Sequence, residues 1–294
     1  MINGKTTSIK RPVKEGRPSP STLNKEAILL RQLFEFGQRR GYTLEVPIIE
    51  LPKSKKREVR RTPDFTLKEF LHLVSVSEQR VKAFEFNTNY KPGKRHKQLD
   101  EIGRNQRVYF DRLKLHNFCM IAAFSGLRTT EVFNLSWGHV GYRPIELDDG
   151  KPFEAIILQV RGKGKEREMA AQPETLTFFN SQRMIFQLQA EREPYDDDPV
   201  FFNHFGVRIR RIGKGLTELL KAANLRKTPD GRLRDSRSFR HFYITQQLRE
   251  GVGHHILGRN TGTSIKMLDE VYSHVQPTDQ IKQLIPDWLK RRPI

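Results

Sequence analysis

Cysteine, long apolar runs and acidic residues are all scarce in this chain. Its 294 residues hold a single cysteine, Cys119, which excludes an intramolecular disulfide and any cysteine-rich zinc site. Cys119 sits in an apolar helical stretch, so it is expected to be a buried small hydrophobe rather than a reactive thiol. No run of about 18 apolar residues occurs, and no basic segment leads into an apolar one, so neither a membrane span nor a secretory leader is expected. Asp plus Glu number 34 against 53 Lys plus Arg, a net charge of +19. Such a surplus says little about fold but selects polyanionic partners, nucleic acid ahead of an anionic membrane surface. No Asp/Glu cluster has metal-ligand spacing, so a metal-dependent nuclease fits poorly and no cofactor is expected.

What is present falls into segments. Residues 1–22 are basic and rich in Pro, Gly and Ser, with almost no large apolar side chain, and read as a flexible tail. From Asn24 a helical face forms from Ile28, Leu29, Leu33 and Phe36, with Gly41 as its stop signal. Pro47 to Thr62 reads as a linker carrying Lys53, Lys55, Lys56, Arg57, Arg60 and Arg61. Residues 1–62 hold fifteen Lys/Arg against six Asp/Glu, a bias that suits a tether lying along phosphates better than a bland one.

A second unit begins with a capping box, Thr66-Leu67-Lys68-Glu69, followed by a stripe of Leu67, Phe70, Leu71 and Val74. Residues 85–104 read as an exposed polar loop. Residues 105–125 read as a long helix capped by Gly126, with Val108, Leu113, Phe118, Ile121 and Ala122 as core candidates. Glu154 to Val160 and Arg167 to Ala171 are expected to pair as a β-hairpin with Lys163 at its tip. Further helices are expected near 173–192, 208–222, 238–250, 264–273 and 279–290. The fold class is mainly α with a small antiparallel β-sheet.

Four side chains in order carry the chemistry: Arg128, Lys163, Arg240 and Tyr272. A phosphodiester repels nucleophiles, so a catalyst must neutralise its charge and hold the attack in line. The planar fork of arginine donates two parallel hydrogen bonds to phosphate oxygens and stays charged. Arg128 follows the Gly126 break, where a short helix would start, and Arg240 sits in the first turn of a helix, so amides and dipole also favour an anion there. Tyr272 is a suitable nucleophile, its phenolate favoured by nearby guanidinium groups. Lys163 on a hairpin tip would protonate the leaving oxygen. Each has a blander alternative: a surface arginine, a solvated turn, or one of seven tyrosines. Tyr243, on the 238–250 helix, suits a core or supporting role.

Taken together, the contexts of these residues resemble the tyrosine recombinase, or phage integrase, family over about residues 60–276. Ser125-Gly126-Leu127-Arg128-x-x-Glu131-Val132-x-x-Leu135-x-Trp137 resembles the family's first arginine motif. Arg161-Gly162-Lys163-Gly164-Lys165-Glu166-Arg167 resembles its lysine hairpin. Ser238-Phe239-Arg240-His241 and Tyr272-Ser273-His274 resemble its second arginine and nucleophile motifs. The resemblance implies the catalytic-domain fold, Tyr272 as nucleophile, Arg128 and Arg240 as the phosphate clamp, Lys163 as proton donor and Glu131 as a group orienting the arginine and lysine.

Three departures stand out. Arg237 occupies a position where the family commonly has histidine, Thr263 aligns with its usual His or Trp, and Gly258 to Tyr272 is a few residues longer than usual. Arg237 can neutralise phosphate but cannot serve as a base at neutral pH. His241, His254, His255 or solvent are the alternatives, and a structural role also fits these histidines. Residues 23–62 resemble only the end of the helical core-binding domain, plus a basic linker. Residues 63–276 then form the catalytic domain and 277–294 a helical tail.

Between His204 and His241 there are eleven Lys/Arg and three Asp/Glu. Arg208, Arg211 and Lys214 share a face if that segment is helical, and with Lys165 and Arg234 they are candidate DNA contacts. Asp279 to Leu289 is amphipathic, suiting either its own domain or, by the resemblance, a neighbouring protomer. The expectation is a site-specific recombinase, an integrase of a phage or other mobile element in a bacterial cytoplasm. It would act on double-stranded DNA as a tetramer, with accessory excision factors as possible partners, and without metal or membrane. The rivals are a non-catalytic DNA-binding or architectural protein of the same fold, and a relaxing enzyme using the same chemistry.

Overall fold

The structure is a computed structural model, and it describes residues 18, 20–49, 62–84, 101–146, 150, 152–162 and 165–272. The chain divides into two compact units, Met1–Arg60 and Arg61–Ile294. The first contains helix α1 (Pro20–Arg39), on which Ile28, Leu29, Leu33 and Phe36 are exposed. Its chain turns at Gly41, where φ is +74°, and the Tyr42 amide bonds back to the Gly37 carbonyl. Glycine adopts that left-handed turn without a Cβ penalty.

The second unit runs α2 (Leu67–Lys82), α3 (Glu101–Ser125), α4 (Thr129–Asn134), β1 (Val140–Glu146), β2 (Pro152–Gly162), β3 (Lys165–Ala171), α5 (Thr175–Ala190), α6 (Gly213–Ala222), α7 (Arg237–Arg249), α8 (His254–Thr261) and α9 (Ile265–Tyr272). Helix α3 is the hub, packing against α2, α5, α6 and α7. Phe118, Cys119, Ile121 and Ala122 are buried on it, whereas Val108 and Leu113 are only half-buried. Burial with no nearby counter-charge pushes the Cys119 thiol far up, so it is inert. The helix starts at Glu101, so residues 101–104 are helical rather than loop, and the rest of the expected 85–104 loop lies outside the described residues.

The capping box of α2 forms as expected: the Thr66 hydroxyl accepts from the Glu69 amide, and Glu69 accepts from the Thr66 amide at 2.9 Å. The buried stripe is a different one, however. Phe70, Leu73, Ser77 and Val81 face inward, while Leu67 and Leu71 are 55% and 58% exposed. Phe70 belongs to both candidate faces. Its stacking on Phe242 at 4.3 Å and edge contact with Phe124 set the rotation of the helix.

The sheet is antiparallel in the order β1-β2-β3. The expected hairpin is β2–β3; its last pair is Gly162 with Lys165, leaving Lys163 and Gly164 between the strands. Strand β1 carries little strand signal in the sequence, because all but its first residue are exposed and it contains Gly141 and Pro144. Proline is tolerated there because β1 is an edge strand. Helix α8 is equally unmarked, being eight residues long with Gly258 within it. Helix α6 starts at Gly213 rather than near 208, because residues 201–209 form a small hairpin in which the Ile209 amide bonds the Phe201 carbonyl. The expected 279–290 helix lies outside the described residues. A smaller core of Tyr243, Ile244, Leu248, Leu257 and Leu268 joins α7, α8 and α9.

Candidate active site

The break between α3 and α4 brings the first arginine inward. Gly126 has φ +65°, and a Cβ there would lie 2.3 Å from Cδ1 of Tyr243. Only glycine fits both the left-handed turn and the close approach to that ring. The chain thereby delivers Arg128 to the start of α4 and Glu131 into its first turn.

Glu131 is the hub of the site. Its side chain is 1% exposed, and three arginines from separate elements converge on it. Arg128 donates from Nη1 to Oε1 at 2.8 Å, and the Arg128 amide donates to Oε2 at 2.8 Å. Arg167, on β3, donates both Nη1 and Nη2 in a fork at 2.9 and 3.0 Å. Arg240 Nη1, from α7, stands 4.0 Å from Oε2. Burial alone would raise the Glu131 carboxyl. The Arg167 hydrogen bonds and the Arg128 amide outweigh it and hold the group below its usual range, so it is ionised at neutral pH.

The same arginines grip the turn between α8 and α9. Arg128 Nη2 donates to the Gly262 carbonyl. Arg240 donates from Nη1 to the Gly126 carbonyl at 2.6 Å, and from Nη2 to the Thr261 carbonyl at 2.8 Å and to the Thr263 hydroxyl. Gly262 has φ +66°, and a Cβ there would come within 3.0 Å of the Arg167 guanidinium. The turn leads directly into α9, whose last residue is Tyr272. The side chain of Tyr272 lies outside the described residues, as does that of Lys165 and the whole of Lys163.

Arg128, Thr129, Thr130, Ser236, Arg237, Arg240 and His241 line an open cleft of about 460 Å³. The Thr129 hydroxyl bonds the Ser236 hydroxyl at 2.7 Å, joining the N-terminal ends of α4 and α7 at its edge. Arg237 is exposed and paired with Asp235, Nη2 to Oδ2 at 2.7 Å. His241 is half-buried, and burial drives its pKa down to about 4, so it is neutral at working pH. His254 and His255 are exposed; His254 Nε2 lies 3.6 Å from Asp269 on α9. Tyr243 is buried, its hydroxyl 3.4 Å from Asn260.

The expected DNA contacts divide. Arg211 and Lys214 are exposed and line, with Arg210 and Arg226, a groove of about 600 Å³ at the start of α6. Arg208 does not share a helical face with them. Its guanidinium donates to the Phe133 and Leu135 carbonyls and the Ser136 hydroxyl. Arg234 is buried and bonded to the Asp64 and Leu225 carbonyls and to Glu69. Each is bonded inside the protein, Arg208 half-buried and Arg234 buried, and neither lines the groove at the start of α6.

Arg167 joins the site although the motifs do not single it out. The sequence does carry a signal for it: along β3, Arg167, Met169 and Ala171 alternate with the exposed Glu166, Glu168 and Ala170. A cation on the apolar phase of a strand demands a buried partner. Among the described residues, no group of three His, Cys, Asp or Glu can hold a metal, and no helix is long and apolar enough to cross a membrane.

No protein-family model matches the chain, and no curated protein does either. Solved structures do. The XerH site-specific recombinase bound to palindromic difH substrate, in a post-cleavage complex, superposes with a TM-score of 0.59 at 16% identity, over 92% of this chain and 68% of its own. Its pre-cleavage complex gives 0.57 at 16% identity, covering 94% and 67%. The Tn1549 transposon integrase in complex with transposon right end DNA gives 0.55 at 14% identity, covering 91% and 79%. Mostly helical, with a three-stranded antiparallel sheet among the described residues, this chain has the fold of the tyrosine recombinases.

Proposed function

We propose that this protein is a site-specific DNA recombinase that cuts and rejoins DNA strands through a phosphotyrosine bond to Tyr272. The observation that carries the proposal is the convergence of Arg128 and Arg240 on one buried carboxylate beside an open cleft. Two guanidinium groups held rigidly at one cleft suit the non-bridging oxygens of a scissile phosphate, and rigidity lowers reorganisation when charge develops. The DNA-bound recombinases of the same fold support the same choice of substrate.

In the cleavage step the Tyr272 phenol loses its proton to a base or to solvent, and its oxygen attacks phosphorus. The bond to the 5′ oxygen breaks and that oxygen takes a proton from Lys163. A free 5′ hydroxyl and a 3′-phosphotyrosine result, and attack by a 5′ hydroxyl of another strand reverses the step. The phosphotyrosine conserves the bond energy, so resealing needs no nucleotide. His241 is neutral at working pH and lines the cleft, a position suited to hydrogen bonding a phosphate oxygen. Arg237 adds charge at the cleft mouth.

In this scheme residues 63–276 form the catalytic part, the basic segments before it track the DNA backbone, and residues 277–294 serve as a tail. Exchange between two duplexes requires a tetramer on DNA, and accessory factors would set the direction. A mobile element acting on cytoplasmic bacterial DNA is the setting that suits these parts.

The test uses a nicked suicide DNA, drawn from a random pool where the site is unknown. Protein and Tyr272→Phe are run on denaturing gels. An SDS-stable adduct from the protein and none from the variant is expected. Tight, salt-sensitive binding with no adduct from either would overturn the proposal in favour of a non-catalytic DNA-binding protein.

A further inference from the structure

Arg167 has no assigned part in the cleavage scheme, yet it is heavily engaged at the site. Its fork closes on both oxygens of Glu131, and its Nε donates to the Asn260 carbonyl at 3.1 Å. The strand is fastened a second time at Ala170, whose amide donates to Asn260 Oδ1 at 2.9 Å and whose carbonyl accepts from Asn260 Nδ2 at 3.0 Å. On the other strand Gly162 approaches the same carboxylate so closely that a Cβ there would lie 2.9 Å from Glu131 Oε1. The loop that carries Lys163 therefore springs from two strands that both meet Glu131, and on β3 it is Arg167 that makes the connection.

We propose that Arg167 is a positioning residue for proton delivery, clamping the Lys163 hairpin to the carboxylate that also orients Arg128. The inference rests on the recombinase reading above. Its physical reason is reach. A lysine side chain has many rotamers, and proton transfer demands a heavy-atom approach of about 3 Å. A guanidinium fork fixes an orientation that a single hydrogen bond does not. Because Glu131 binds Arg128 and Arg167 through the same carboxylate, the proton donor and the phosphate clamp share one reference point. The neighbouring Gly262 turn leads to α9, so the nucleophile's helix is referred to that point as well.

The test compares two DNA substrates, one with oxygen and one with sulfur at the bridging 5′ position. A thiolate is a far weaker base than an alkoxide and leaves without a proton. Wild type, Arg167→Gln, Arg167→Lys and Lys163→Ala are assayed for single-turnover adduct formation. Arg167→Gln is expected to lose on the order of 10- to 100-fold on the oxygen substrate, as displacement by about 1 Å does. On the sulfur substrate it should recover to within a few-fold of wild type, as Lys163→Ala should. Arg167→Lys keeps the charge without the fork and is expected to show the same selective loss while remaining folded.

Equal losses on both substrates, or no loss at all, would overturn the proposal. Backbone hydrogen exchange across residues 165–171 covers the case in which wild type forms no adduct. Faster exchange there in Arg167→Gln, with α3 unchanged, leaves the clamp standing while the recombinase reading falls; unchanged exchange removes the clamp.

Discussion

Arg234 and Arg240 lie six residues apart, and their side chains are similarly secluded, 5% and 11% exposed. Around Arg234 the structure is closed. Its guanidinium bonds two backbone carbonyls and Glu69, and stands 5.1 Å from the Phe65 ring centre. Glu69 in turn caps α2 through Thr66. Around Arg240 the carboxylate lies behind and a cleft lies ahead, and the arginine is one of three sharing Glu131. The same ion-pair chemistry closes off a side chain in one place and presents one to an open cleft in the other. What differs is whether an open space adjoins the pair.

Removing one arginine from each region should have opposite consequences. Arg240→Met is expected to lower adduct formation by about 10²- to 10³-fold, the usual cost of losing a preorganised donor, with the protein still folded. Arg234→Met should instead leave Glu69 poorly compensated, costing about 3 kcal/mol in urea unfolding, with cleavage per folded molecule unchanged. Cleavage lost equally in both variants would erase the distinction.

A second pair concerns the carboxylates. Glu131→Gln leaves three guanidinium groups around a neutral amide and is expected to cost about 3–5 kcal/mol. Glu69 is half-buried, so Glu69→Gln should cost less, about 1–2 kcal/mol for a weakened cap and pair. Thermal denaturation of the two variants ranks them directly.

Gly126→Ala tests the turn that delivers Arg128. With a Cβ 2.3 Å from Tyr243 and a left-handed φ, the expected loss is about 2–4 kcal/mol. A Tm unchanged within error would mean that the Tyr243 ring moves aside without cost.

pH separates two other groups. His241 has a folded pKa near 4, below its usual 6.5, so the unfolded chain takes up its proton first. Its contribution is complete above pH 6.5 and is lost as pH falls toward 4. The folded pKa of Glu131 is lowered from 4.5, so its contribution is present above 4.5 and lost only as pH falls below that. Tm measured against pH should decline in two stages, and His241→Gln should flatten the first. The smallest effect belongs to the exposed groove: Arg211→Ala and Lys214→Ala should each reduce the salt slope of DNA binding by about one unit.

Much of the site is legible in the amino-acid sequence. Gly126, Arg128, Glu131 and Arg240 stand in short motifs whose local geometry follows from a glycine break and from helix first turns. The Thr66 box and the β2–β3 hairpin are local too. Arg208 and Arg234 are candidate DNA contacts by sequence, and the internal bonds that hold them are illegible there for the opposite reason. Their partners, Phe133, Leu135 and Ser136 for one and Asp64, Leu225 and Glu69 for the other, lie mostly far away along the chain. Nothing in a run of basic residues tells an internally bonded side chain from an exposed one.

The large cationic surplus, the helical class with a β-hairpin, and the order of arginine, lysine, arginine and tyrosine follow from the amino-acid sequence. These depend on composition, on capping and on spacing along the chain. Which face of α2 is buried, where α6 begins and the place of Arg167 at the site emerge in three dimensions alone. Those outcomes turn on the Phe70–Phe242 stack, the 201–209 hairpin and a carboxylate 36 residues away. Burial and ion pairing are properties of neighbours in space, and the linear pattern constrains those only weakly.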